Sequence, residues 1–138
     1  MARTPKLRWV ERLVVEAVQL DLIREHGGMP GLRDEHALEA GLARPQQRRA
    51  YETGADFASL AASYGYGLCQ DHPFADGNKR IAFVTMAVFL GLNGHEINAL
   101  ETEVVEVMMA LAAGEVDEDA LASWVRSRMV PTSGPWFD

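Results

Sequence analysis

His72-Pro73-Phe74-Ala75-Asp76-Gly77-Asn78-Lys79-Arg80 runs straight into Ile81-Ala82-Phe83-Val84-Thr85-Met86-Ala87-Val88-Phe89-Leu90. The second half is apolar almost all round, and a helix hydrophobic on every side belongs in the interior. The first half is a loop that carries an imidazole, a carboxylate, a Gly-Asn turn and two adjacent cations. A polar loop opening into a buried helix sets the architecture: an all-α bundle in which this loop precedes a central helix.

The same loop carries chemistry. Gly77, Asn78, Lys79 and Arg80 stand at the helix start, where unpaired N–H groups and the positive dipole end attract anions. Gly77 permits close backbone approach and a positive φ. Lys79 and Arg80 add formal charge, and the arginine fork suits two parallel bonds to phosphate. Asp76 is a hard oxygen donor of the kind Mg2+ takes, with phosphates completing its shell. Imidazole titrates near neutrality, which suits His72 as the base for an attacking hydroxyl. Phosphoryl and nucleotidyl transfer need such a set, because positioning and charge neutralisation supply most of their catalysis. Phe74 reads as the anchor of the loop in the core. The competing reading is a capped helix start, with Asp76 as cap and the cations solvated. The presence of all these groups in one loop between two apolar stretches favours a site.

Two commoner motifs are excluded. There is no Gly-x-x-x-x-Gly-Lys-Ser/Thr loop. Counted back from Gly77, an EF-hand needs oxygen ligands where His72 and Phe74 stand, and Phe83 replaces its closing Glu.

The rest of the chain reads as helices. Val10, Leu13, Val14, Ala17 and Val18 recur at helical spacing, predicting a first helix over residues 9–26 that ends at Gly27-Gly28-Met29-Pro30-Gly31. Asp34 is the expected N-cap of a short helix carrying Ala37, Leu38 and Leu42, closed by Pro45. Residues 46–53 read as a loop or an irregular helical turn. Asp56 caps a helix with Phe57, Leu60, Ala61, Tyr64 and Leu68 on one face, and its small residues allow close packing. Asn93-Gly94 is a left-handed stop. Residues 95–98 are expected to be briefly extended, 100–113 helical, and Asp117 the cap of a last helix over 118–129. Pro131 to Asp138 is a tail that either docks on the body or moves freely. No stretch shows period-two alternation, so the expectation is about six helices in a single domain of 138 residues.

Composition narrows the function. Hydrophobic residues make up 48% and charged residues 24%, ordinary for a soluble globular chain. A formal charge of −7 argues against a nucleic-acid binder. The cations cluster instead at Arg44, Arg48 and Arg49, read as a solvated patch, and at Lys79 and Arg80. The single Cys69 permits no internal disulfide, and no apolar run is long enough to span a bilayer, so the expected location is the cytoplasm. His26, His36 and His95 read as surface, packing or turn residues. Met86, Met108 and Met109 read as core filler. Trp9, Trp124 and Trp136 are candidate packing or interface aromatics, and Cys69 lies in an apolar setting that does not suit a catalytic thiol.

The loop from His72 to Arg80 resembles the active-site signature of the Fic/Doc superfamily, His-x-Phe-x-Asp/Asn-Ala/Gly-Asn-Lys-Arg, in its death-on-curing (Doc) branch. The stretches Gly27-Gly28-Met29-Pro30-Gly31-Leu32-Arg33-Asp34 and Leu42-Ala43-Arg44-Pro45-Gln46, residues 61–67 and the helix over 83–94 resemble the same pattern, so the likeness covers about residues 20–129. It implies a small helical bundle and a toxin of a toxin–antitoxin module. Such toxins transfer the γ-phosphate of ATP, with Mg2+, to a threonine of elongation factor Tu. By resemblance, His72 would be the base, Asp76 would hold Mg2+, Gly77, Asn78 and Lys79 would cradle phosphates, and Arg80 would neutralise developing charge. The Gly27–Leu32 segment, if it overhangs the loop, would position the target peptide.

Adenylylating Fic enzymes carry a second Gly where Lys79 stands and an Arg where Phe83 stands. Both departures point to phosphoryl rather than AMP transfer. No Ser/Thr-x-x-x-Glu-Gly/Asn inhibitory helix is present, which implies control by a separate antitoxin of the Phd type that folds on binding. Transfer of AMP to a protein hydroxyl and a catalytically idle binding module are the alternatives. The intact set His72, Asp76, Asn78, Lys79 and Arg80 speaks against the idle module.

Overall fold

The computed structural model describes residues 6–132. In chain order it contains α1 (Arg12–His26), α2 (Glu35–Tyr51), α3 (Phe57–Asp71), α4 (Asn78–Leu92), β1 (His95–Ile97), α5 (Glu101–Ala112), α6 (Glu118–Arg128) and β2 (Met129–Pro131). This is the all-α bundle expected. To it the structure adds one small antiparallel pair, His95 opposite Pro131 and Ile97 opposite Met129. Strands of three residues are too short to register as alternation.

Helix α3 is the pivot. Eleven of its residues are buried, in a run of small side chains from Ala58 to Ser63 and on through Tyr64, Gly65, Gly67, Leu68 and Cys69. A Cβ on Gly65 would stand 2.5 Å from Met86 Sδ, so its absence lets α4 pack close. Asp56 caps α3 as expected, accepting the Ser59 N–H at 2.9 Å. Helix α4 buries Ile81, Ala82, Thr85, Met86, Phe89, Leu90 and Gly91. The signature loop therefore joins the two most buried helices. No helix among the described residues is long and apolar enough to cross a membrane.

Several expectations need correction. Helix α1 begins at Arg12 rather than residue 9, because the preceding backbone is bonded elsewhere. The Val10 N–H donates to Tyr64 Oη at 3.0 Å, and Arg8 exchanges two bonds with the Asn93 side chain. Pro45 does not close the second helix: α2 continues to Tyr51 with Pro45 inside it. An interior proline costs about 3 kcal/mol, and tertiary contact overrides it here. The two helices meet glycine on glycine, since a Cβ on Gly67 would lie 3.3 Å from Gly41 Cα. Beyond the proline, Arg48 anchors the last turn to Glu118 at 2.6 Å.

Arg44 and Arg48 are accordingly not a solvated patch. Both bond to Glu118, and Arg48 also reaches Glu52 and Asp119. Met86 and Met108 are core residues, but Met109 is 59% exposed. Trp9 stacks on Phe89 with centroids 5.9 Å apart, and Trp124 lies half-buried beneath the Arg128 guanidinium. Trp136 and the rest of the tail beyond Thr132 lie outside the described residues.

Candidate active site

The site is built on the turn between α3 and α4. His72 caps α3 in the left-handed region at φ 48°, ψ 58°, a conformation uncommon outside glycine. Arg33 holds it there: its Nε donates to the His72 carbonyl at 2.7 Å and its guanidinium donates to the Asp71 carbonyl at 2.9 Å. Pro73 and Phe74 turn inward and are buried, so Phe74 is the anchor expected. Asn78 closes the loop with both ends of its amide, accepting the Phe74 N–H and donating to the Phe74 carbonyl, each at 3.0 Å. Gly77 occupies the left-handed region at φ 81° and opens α4.

The Ile81 N–H is the first to bond back along α4, to the Gly77 carbonyl at 2.9 Å. The N–H groups of Asn78, Lys79 and Arg80 therefore have no acceptor within the helix and point out of its positive end. His72, Asp76, Gly77, Asn78, Lys79 and Arg80 line one cavity of about 420 Å3, with Ala75 and Ala112. Every residue named from sequence for this site borders that space. His26, His36, His95 and Cys69 do not. Burial raises the Cys69 thiol pKa, with Lys79 pulling the other way, so the thiol stays protonated and inert.

A strap over residues 27–33 runs along the loop. The Ala75 N–H donates to the Gly31 carbonyl at 3.0 Å, and the Arg33 and Asp34 N–H groups donate to the Pro73 carbonyl at 2.8 and 3.0 Å. Leu32 and Phe74 form an antiparallel bridge. At its other end the strap presses on Asp76. The Met29 N–H approaches Asp76 Oδ2 at 3.4 Å, and a Cβ on Gly28 would stand only 2.7 Å from the same oxygen. Asp76 Oδ1 accepts the Gly77 N–H at 2.9 Å, which fixes the carboxylate from the loop side.

A family model described as the Fic/DOC family matches residues 9–90. The chain belongs to the Fic/DOC family. It is similar to the protein named Protein kinase doc of Escherichia phage P1, 33% identical over 104 residues, covering 75% of this chain and 82% of that one. It is also 33% identical over 103 residues to Toxin Doc of Mycolicibacterium smegmatis, covering 70% of this chain and 77% of that protein.

Within this Fic/DOC chain, sequence reasoning did not pick out Arg33 or Gln19 as site-supporting residues. Arg33 lies in a stretch that resembles the family pattern, but its role was not readable, because an arginine in a Gly-rich connector looks solvated until its carbonyl partners are known. Gln19 did give a signal: it falls one helical turn after Val15 on the buried face of α1, and a polar residue there requires partners. Among the described residues no group of three His, Cys, Asp or Glu side chains gathers to cage a metal. A cation at this site would depend on Asp76 and on the oxygens of its ligand.

Proposed function

We propose that this chain is a Doc-like toxin that acts as a protein phosphotransferase. It moves the γ-phosphoryl group of ATP onto a threonine or serine hydroxyl of a translation factor, with elongation factor Tu the expected target, and is restrained by a Phd-type antitoxin. Family membership and the names of the two relatives support the toxin and kinase readings. The observation that carries the chemistry is the single cavity bordered by His72, Asp76, the α4 N-terminus, Lys79 and Arg80.

The residues divide the work as follows. The N–H groups at the start of α4 and the Lys79 ammonium receive the nucleotide phosphates. The Arg80 guanidinium grips the oxygens on which charge builds during transfer, a contribution that counts most in the transition state. The His72 imidazole takes the proton of the acceptor hydroxyl as the new O–Pγ bond forms. The bond from Pγ to the bridging oxygen breaks, and that electron pair leaves with ADP. The donor set fits Mg2+, which needs few protein ligands: Asp76 is exposed, and its Oδ2 receives only a long contact from the protein. When bound there, Mg2+ supplies neutralisation and alignment of the phosphate oxygens. Phe83 supports phosphoryl over AMP transfer: it packs against the core and does not border the cavity.

Incubating the purified chain and elongation factor Tu with γ-labelled or α-labelled ATP tests this reading. Label is expected to remain on the target only from the γ position, and His72→Ala should abolish it. Label from the α position would establish AMP transfer instead. Equal growth arrest by wild type and His72→Ala, with no label from either position, would indicate a binding module.

A further inference from the structure

Residues 27–31 of the strap are exposed, and Gly27, Gly28 and Gly31 all have positive φ. A segment of that kind has little to hold its shape by itself. Helix α1 supplies the hold. Its two buried residues are Val15 and Gln19, one turn apart. Val15 packs in the core, whereas Gln19, only 2% exposed, turns its amide to the strap. Gln19 Nε2 donates to the Met29 carbonyl and Gln19 Oε1 accepts the Gly31 N–H, both at 3.2 Å. The strap then hands that constraint to the site. Gly31 receives the Ala75 N–H, while Gly28 and Met29 bear on Asp76 Oδ2. One side chain on α1 thus fixes how far the strap stands from the loop and its carboxylate.

The simpler account is that Gln19 only satisfies buried polarity. Its partners argue otherwise. Met29 and Gly31 belong to an exposed segment, and their bonds to the amide are only part-buried, so the strap can shift to bring those backbone groups to water when the amide is removed. An unbranched apolar side chain would fill the same volume with no buried polar atom to satisfy. The fold therefore has no need of an amide at position 19, but the strap does.

We propose that Gln19 is a positioning residue: it tethers the 27–31 strap and thereby holds Asp76 and the active loop in their working geometry. The kinetic consequence rests on the phosphotransferase reading above; the structural one does not.

Gln19→Met, compared with wild type, tests both. Amide hydrogen exchange at Gly31 and Ala75 should rise about tenfold, the scale of losing one or two net hydrogen bonds. Exchange of the α3 core amides should stay as in wild type. Phosphate transfer should lose about tenfold in kcat while KM for ATP stays within about twofold, a split expected when a group is mispositioned rather than a binding contact removed. Gln19→Glu is the second variant. It keeps an acceptor for the Gly31 N–H and loses the donor to Met29, so Gly31 protection should persist while kcat falls. Unchanged exchange at Gly31 and Ala75 in Gln19→Met would overturn the tether. So would an increase shared equally by α3, which would make Gln19 a general stability residue. If the wild type transfers no phosphate, the reaction is refuted, and exchange at Gly31 and Ala75 still decides the tether.

Discussion

Alanine at Gly28 tests the contact through which the strap controls Asp76. Gly28 lies at φ +114°, and an added Cβ would stand 2.7 Å from Asp76 Oδ2, 3.1 Å from Asp76 Cγ and 3.0 Å from Ile23 Cδ1. Gly31, in the same strap at φ +103°, has nothing within 4 Å of the corresponding position. Both alanine variants carry similar backbone strain, about 1–3 kcal/mol each. Only Gly28→Ala adds a collision. Relieving it takes a shift of roughly 0.7 Å, enough to restore the 3.4 Å at which ordinary contact begins. The exposed carboxylate is the partner free to move. Turning it away breaks the bond it accepts from the Gly77 N–H, a charge-assisted bond worth about 1.5–3 kcal/mol.

A misplacement approaching 1 Å in a reacting site costs about 100-fold in rate. We therefore expect Gly28→Ala to lose about 1.5–3 kcal/mol more than Gly31→Ala in urea unfolding, the worth of the bond only it breaks. Transfer of label from γ-labelled ATP should fall about 100-fold in Gly28→Ala and only a few-fold in Gly31→Ala. Full activity in Gly28→Ala would refute the argument that this glycine keeps Asp76 in place. Equal losses in the two would assign the effect to strain in the strap instead.

Two further outcomes follow from the structure. Asn78→Ala removes both 3.0 Å bonds that close the loop on Phe74 and should cost about 1–3 kcal/mol in urea unfolding; unchanged stability would mean the loop closes without that amide. Burial pushes the Tyr64 phenol from 10.0 up to about 12, against a lowering by the Val10 N–H it accepts. Because the folded value is the raised one, its contribution is fully present below about pH 10 and is lost as pH rises towards 12, amounting to about 2–3 kcal/mol. Tyr64→Phe should flatten the alkaline limb of a stability–pH curve, and an unaltered limb would contradict the assignment.

The parts of the fold legible in the sequence are those specified by neighbours in the chain. Asp34, Asp56 and Asp117 each cap a helix by accepting an N–H three residues on, an interaction local enough to read from spacing. The grouping of the candidate site residues was readable for the same reason, since His72, Asp76, Gly77, Asn78, Lys79 and Arg80 border one cavity largely because one turn carries them all. What stayed hidden depends on contacts between distant segments. Pro45 reads as a helix end until Gly41 and Gly67 are seen in contact. Arg48 reads as a solvated cation until Glu118, 70 residues away, lies beside it. Gln19 and Arg33 reach across to the strap and the loop through bonds that no local pattern encodes.

Those long-range pairings also bear on how an acidic chain keeps cations clear of carboxylates at its candidate site. Against a formal charge of −7, several of the arginines among the described residues are matched to carboxylates. Arg12 meets Glu16, Glu35 and Glu39, Arg44 and Arg48 meet Glu118, Arg126 meets Asp56, and Arg128 meets Glu103. Such pairs add little stability when exposed, about 0–1 kcal/mol each. Their larger effect here is to cancel charge locally. Among the described residues Lys79 and Arg80 form no ion pair with a carboxylate, and Asp76 is the only acid bordering their cavity. Two cations and a helix N-terminus against one carboxylate give that mouth a local excess of positive charge on a chain that is negative in sum. On the proposed reading, a polyphosphate entering that mouth would meet both cations, and a divalent cation carried with it would offset the one opposing charge. On that reading, local charge would favour an anionic ligand, and the strap that bears on Asp76 would set the geometry in which it is held.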